Sequence, residues 1–141
     1  MSNELDSTDE KIIQLLREDS RKSFVDIGAK IGLSESAVRR RVKNLMDRGL
    51  IKRFTIEMGT SNKTSAITFI SVDSHVETDI ICAKLMDLNG VEVIYEITGQ
   101  YDIAVIITAP AISDINTCVD NLRKIQGVSD TNTVIVLRTM R

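Results

Sequence analysis

The sequence predicts an α+β chain in two parts, a winged-type helix-turn-helix followed by a ferredoxin-like βαββαβ domain. Three observations carry that prediction. Helical apolar spacing up to residue 48 gives way to strand-like alternation from residue 67 onward. Charge is unevenly placed: Arg39, Arg40, Arg41, Lys43, Arg48, Lys52 and Arg53 share one window with a single acid, Asp47, in a chain of net charge −2. Finally, Leu85, Leu88, Gly90 and Val91 recur as Leu122, Ile125, Gly127 and Val128, a constant offset of 37 residues.

The elements follow in order. Asp6 is placed to cap a first helix that turns Ile12, Ile13 and Leu16 inward and ends near Ser20. Ser23 can cap a second helix with Phe24, Ile27 and Ile31 on its apolar face. Gly28 on that face permits close packing. At Gly32-Leu33-Ser34 the chain breaks: Gly32 can turn left-handed, Leu33 can plug the core and Ser34 can cap the next helix. That third helix runs from Glu35 to Arg48, with Gly49 as its stop and Val38, Val42 and Leu45 as its inner stripe. Ser36, Arg39, Arg40 and Lys43 lie on its other side. A short helix, a glycine turn and a capped second helix with a basic outer face form a helix-turn-helix.

A helix fits the major groove of B-DNA, and its N-terminal residues reach base edges. Ser34, Glu35, Ser36, Arg39 and Arg40 occupy that end and are the candidate base readers. Arg can bridge O6 and N7 of guanine, and Glu can accept from N4 of cytosine. Lys43, Lys52 and Arg53 lie further along and are candidates for phosphate contacts, which set affinity and salt dependence. The competing reading is a solvated basic face on an ordinary three-helix module. Against it, acids occupy the first two helices at Glu4, Asp6, Asp9, Glu10, Glu18 and Asp19, so the module is polarised.

Residues 1–50 are read as the DNA-binding domain, 51–65 as a hinge strand and linker, and 66–141 as the second domain. The polar stretch Met58 to Thr64 marks the change, after which Asp and Glu outnumber Lys and Arg. In the second domain, strands are expected at Ile67–Asp73, Val91–Thr98, Asp102–Thr108 and Thr131–Arg138. Helices are expected at Glu77–Leu88 and, opened by Pro110, at Ala111–Ile125. Both faces of this sheet carry apolar residues: Ile103, Val105 and Ile107 oppose Ala104 and Ile106, and Ile67 and Phe69 oppose Ile70 and Val72. Two helices can cover only one face, and the other would leave an apolar patch. A homodimer packed sheet to sheet would cover it. A two-fold dimer is also what reads a pseudo-palindromic duplex with half-sites ~34 Å apart.

Composition excludes other classes. At 141 residues and 43% apolar content, the chain suits packed domains rather than disorder. No apolar run approaches the ~18 residues of a membrane span, and the acidic N-terminus lacks a signal-peptide core. Both features place the chain in the cytoplasm. Cys82 and Cys118 read as buried structural thiols, and His75 stands alone, so no metal site or Ser-His-Asp set is expected. Without a phosphate loop or dinucleotide fingerprint either, neither an enzyme nor a cofactor is expected.

The run Ser34-Glu35-Ser36-Ala37-Val38-Arg39-Arg40-Arg41-Val42-Lys43-Asn44-Leu45, followed by Gly49-Leu50-Ile51, resembles the recognition-helix signature of the Lrp/AsnC (leucine-responsive, feast/famine) transcription regulators. Leu5 to Ile13 resembles the family's opening helix, and Ile51-Lys52-Arg53-Phe54-Thr55-Ile56 its hinge strand in an archaeal form. Thr98-Gly99-Gln100-Tyr101-Asp102 resembles the Gly-x-Tyr-Asp turn of the family's ligand-sensing domain, called RAM and ACT-like in topology. Thr131-Asn132-Thr133 is a weaker match.

The resemblance covers nearly the whole chain. It implies a regulator whose dimers assemble into octamers and which binds a free amino acid around that turn, with Thr98, Gly99, Gln100, Tyr101, Asp102, Thr131 and Thr133 as site residues. The turn has chemistry to match: Gly99 allows close approach to backbone N–H groups that could receive a carboxylate, and Asp102 could receive an ammonium. Read from residues alone, a plain hairpin in which Asp102 caps its own turn stays open. Glu92, Glu96 and Asp73 would suit a cationic ligand such as lysine or arginine, or are simply solvated. An effector-independent architectural DNA-binding protein is the alternative function.

Overall fold

The computed structural model describes residues 5–58 and 62–140. Its elements are α1 (Ser7–Glu18), α2 (Phe24–Ile31), α3 (Glu35–Asp47), β1 (Thr64–Val72), α4 (Thr78–Met86), β2 (Val91–Glu96), β3 (Ile103–Ala109), α5 (Ile112–Arg123) and β4 (Val128–Ile135). The chain divides into two compact units between Glu57 and Met58. Gly59, Thr60 and Ser61 of the expected linker lie outside the described residues.

In the first unit, each expected cap forms. The Asp6 carboxylate accepts from the backbone N–H groups of Thr8 and Asp9 at 2.9 and 2.7 Å. The hydroxyls of Ser23 and Ser34 accept from Asp26 and Ala37 at 3.0 and 3.2 Å. These side chains satisfy N–H groups that the first helical turn leaves without partners. Gly32 ends α2 with φ +75°, the left-handed region glycine enters without strain. Gly28 is required for a different reason. A Cβ there would stand 2.3 Å from the Leu33 carbonyl oxygen, so the tight turn between α2 and α3 has room only for glycine. Ile12, Leu16, Ile27, Val38 and Val42 form the core, with Leu15, Phe24, Ile31, Leu33 and Ile51 packed around it.

One expectation for this unit is corrected. Ile13, expected inward, is only half-buried, and the acid Asp9 takes a buried place on that face of α1 instead. Residues 51–58 are in no strand within one copy, and Ile56 is 79% exposed. A strand exists only as one side of a ladder, and the described residues of this unit supply no second side.

The second unit is one antiparallel sheet in the order β2-β3-β1-β4. With α4 and α5, this is the βαββαβ arrangement expected from the repeat. The repeated glycines have matching jobs. Gly90 and Gly127 both take positive φ, 95° and 101°. Their carbonyls accept from Thr108 of β3 and from Asp73 beyond β1, both at 2.8 Å. Ala66, Ile70, Ile103, Val105 and Ile107 bury their side chains with Ile81, Leu85, Ile115, Cys118, Val119 and Leu122 of the two helices. Thr68 is fully buried in the same unit, its hydroxyl bonded to that of Thr133 at 2.9 Å.

Alternation then sends Ile67, Phe69, Ala104 and Ile106 to the opposite sheet face. Cross-strand pairing adds Val93 and Tyr95 from β2 and Val134 from β4, and these three are 38%, 53% and 43% exposed. The expected apolar face on the side of the sheet away from α4 and α5 is therefore present in this unit.

Candidate DNA interface and effector turn

Val38, Val42 and Leu45 anchor α3 in the first unit, which fixes the direction of its outer face. Ser34, Glu35, Ser36, Arg39, Arg40 and Lys43 are all exposed there, and Lys52 and Arg53 are exposed beyond the helix. Several engage one another. The hydroxyls of Ser34 and Ser36 share a hydrogen bond of 3.1 Å. Glu35 accepts from Arg39 one turn on, and Lys43 donates to Asp47 at 2.7 Å. These are exposed pairs at i,i+4, weak enough to open when DNA offers a stronger partner.

Arg41 departs from the rest of the basic run. It turns off this face, and its Nη1 donates to Asp6 at 2.6 Å and to Asp9 at 2.8 Å. Its side chain is one-third exposed and that of Asp9 one-tenth. This ion cluster ties α3 to the capped start of α1. The Asp9 backbone N–H, and then the Arg41 guanidinium, hold the Asp6 carboxyl below its ordinary range. The same pairing raises Arg41.

The sign of the pH effect follows. A carboxyl depressed in the folded state adds stability above its unfolded pKa, and that stability is lost as pH falls through the folded value. The contribution of this cluster is therefore expected to persist as pH falls to the ordinary aspartate range and to be lost below it. Arg41→Met is expected to destabilise the first unit by about 1–3 kcal/mol, the cost of leaving the buried Asp9 acceptor without its donor. Thermal melting across an acid titration checks both: a variant that melts like the wild type would show the cluster to be inert.

At the β2–β3 connection, Gly99 has φ +116° and Thr98, Gly99, Gln100 and Asp102 are exposed. The ring of Tyr101 stacks on Phe69 of β1, with centroids 5.4 Å apart. Asp102 fastens the turn. Its backbone carbonyl accepts from Ile97 and its N–H donates to Ile70, both at 2.9 Å. Its Oδ2 accepts from the N–H of Val72 at 2.8 Å. The carboxylate thus caps the end of β1 rather than its own turn.

Thr131 and Thr133 stand apart from this turn. Ile70 of β1 pairs with Ile103 on one side and with Thr131 on the other, so a whole strand separates the two groups. Thr131 accepts from Nε of Arg123 at 2.9 Å, and Thr133 bonds Thr68. Sequence reasoning had no signal for Arg123, whose contact depends on how α5 lies over β4.

The charge of Glu92 and Glu96 gathers elsewhere, in an open groove of about 740 Å³ between α4 and the edge strand β2 that Asp79 and Cys82 also line. Asp73 does not line it. Burial, and then Glu96 and Asp79, push the Cys82 thiol up, and burial does the same to Cys118, which fits unreactive structural thiols. No His/Cys/Asp/Glu group among the described residues is arranged to hold a metal ion. No helix among them is long and apolar enough to cross a membrane.

Comparison with known proteins bears on both surfaces. A family model described as the AsnC-type helix-turn-helix domain matches residues 5–46, and one described as the Lrp/AsnC ligand binding domain matches residues 65–141. The HTH-type transcriptional regulator LysM of Saccharolobus solfataricus is 41% identical over 135 residues, covering 96% of this chain and 95% of the relative. The HTH-type transcriptional regulator FL11 of Pyrococcus horikoshii is 34% identical, covering 96% of this chain and 91% of the relative. Among solved structures, that of E. coli AsnC superposes with a TM-score of 0.86 at 24% identity, covering 98% of this chain and 97% of that one. A feast or famine regulatory protein from M. tuberculosis complexed with L-methionine superposes with a TM-score of 0.89 at 23% identity, covering 98% and 95%. At these identities the two structures establish a shared fold.

Proposed function

The chain belongs to the Lrp/AsnC family of DNA-binding transcription regulators, which are not enzymes, and from that premise we propose how its parts divide the work. Two copies pair through the open sheet faces and present two α3 helices to successive major grooves of a pseudo-palindromic operator. Ser34, Glu35, Ser36, Arg39 and Arg40 read bases, while Lys43, Lys52 and Arg53 hold phosphates. Dimers assemble further, to an octamer, in the cytoplasm. A free amino acid binds at the Thr98–Asp102 turn, completed by Thr131 and Thr133 brought from elsewhere in the assembly, and changes the affinity for DNA.

The observation that carries the DNA reading is the capped, exposed N-terminal end of α3 with its basic face, on a helix anchored by Val38, Val42 and Leu45. The effector reading is supported by the exposed glycine turn and by the L-methionine complex of a protein with the same fold. An amino acid has charges of both signs, and the turn offers backbone N–H groups and the second oxygen of Asp102 to meet them. One observation favours an effector-independent architectural protein instead. Within the chain, the hydroxyls of Thr131 and Thr133 and one oxygen of Asp102 already have partners.

A thermal-shift screen of the twenty amino acids, repeated as DNA titrations, separates the two. Binding to the folded state raises the melting temperature by mass action. At least one amino acid is expected to do so and to alter DNA affinity. No stabilisation by any of them would leave the architectural reading standing.

A further inference from the structure

Arg39 leaves the recognition helix in a defined direction. Its guanidinium carbon lies 5.2 Å from the centroid of the Phe24 ring, while Nη2 pairs with Oε1 of Glu35. Phe24 is the first residue of α2, and Ser23 before it caps that helix and donates to the Asp26 carboxylate at 2.7 Å. The ring is half-buried against the core of the unit. A fixed aromatic platform therefore meets an arginine side chain that is still 63% exposed. Among the described residues, neither Arg40 nor Lys43 of this face lies over a ring. Lys43 reaches back to its own helix, and Arg40 makes no ion pair among the described residues.

Neither contact of Arg39 is strong enough to withhold it from DNA. Together they select one orientation of a side chain that otherwise samples many. A flexible arginine loses rotamer freedom when it docks on a base, and that loss weakens binding. An arginine already in contact with Phe24 and Glu35 has less to lose. Guanidinium planes suit both tasks at once, since the face stacks on a ring and the edge presents the donor fork.

We propose that Phe24 is a positioning residue for base readout: its ring, together with Glu35, holds the Arg39 guanidinium ready for a guanine edge. The inference rests on Arg39 reading bases. It makes α2 a contributor to sequence preference through a residue that need not touch DNA, and it makes Arg39→Lys a non-conservative change.

The test uses the full chain, a duplex selected from a random pool by the wild-type protein, and a random-sequence duplex of equal length. Phe24→Leu keeps apolar bulk in the core and removes the ring, and Phe24→Met is a second ringless variant should the first melt early. Both are expected to lose about two- to fivefold in affinity for the selected duplex, the size of an exposed cation–π contact. Affinity for random DNA and the salt slope should be unchanged. Phe24→Tyr is expected to restore wild-type preference, and Phe24→Leu should cost nothing further in an Arg39→Ala background. Equal losses on both duplexes, or a loss that persists without Arg39, would overturn the proposal by showing that Phe24 acts through folding alone. Unaltered preference in Arg39→Ala itself would remove the premise, a result distinct from either.

Discussion

Ile106→Glu is expected to convert the protein to a 15.7 kDa monomer and to lower its affinity for the operator by two orders of magnitude or more. Ile106 lies on the central strand β3, paired with Ile67 of β1 and Val93 of β2, in the middle of the sheet face away from α4 and α5. A carboxylate there would be enclosed by apolar side chains of both copies, without a partner. Burying an unpaired charge costs about 3–5 kcal/mol, roughly a hundredfold or more in dimer affinity. The loss should carry over to DNA, because a monomer presents one recognition helix and forfeits the gain of engaging two half-sites together. Sedimentation of the variant decides the matter. A folded variant that stays dimeric would place the interface on another surface.

Arg40→Ala is expected to reduce the preference for operator over random DNA by about 1–3 kcal/mol, if the side chain grips a guanine through two hydrogen bonds. Arg40 is exposed on the N-terminal half of α3 and makes no ion pair among the described residues that must break before it binds. Lys43→Ala provides the contrast. It should weaken binding to every sequence alike and reduce the salt slope by about one. Titrations on both duplexes at several salt concentrations separate the two behaviours. Identical losses for Arg40→Ala on operator and random DNA would demote it to a phosphate contact.

Features set by near neighbours in the chain were legible from the residues. Ser34 caps α3 because its hydroxyl reaches an N–H three residues on, and Gly32 turns because it lacks a Cβ. The open sheet face was also legible, since strand alternation alone sends Ile67, Phe69, Ala104 and Ile106 to one side.

Features set by tertiary packing were not. Arg41 belonged by position to the basic run, but its partners Asp6 and Asp9 lie 35 and 32 residues upstream. Phe24 read as a core residue, and its contact with Arg39 depends on how α2 crosses α3. The expected hinge strand shows the converse. Residues 51–56 have strand-like composition, but a strand needs a partner edge, and one copy of this unit has none. At the second surface, the motif Thr98–Asp102 was visible, whereas its separation from Thr131 and Thr133 by β1 follows from the strand order.

The measurement that bears most directly on the whole account is selection of bound DNA from a random pool by the full chain, with and without each amino acid. A pseudo-palindrome whose half-sites lie about one helical turn apart, 34–36 Å from centre to centre, is expected to be enriched. At least one amino acid is expected to alter that enrichment. A pool that stays random while the protein still binds it would contradict sequence-specific reading by α3.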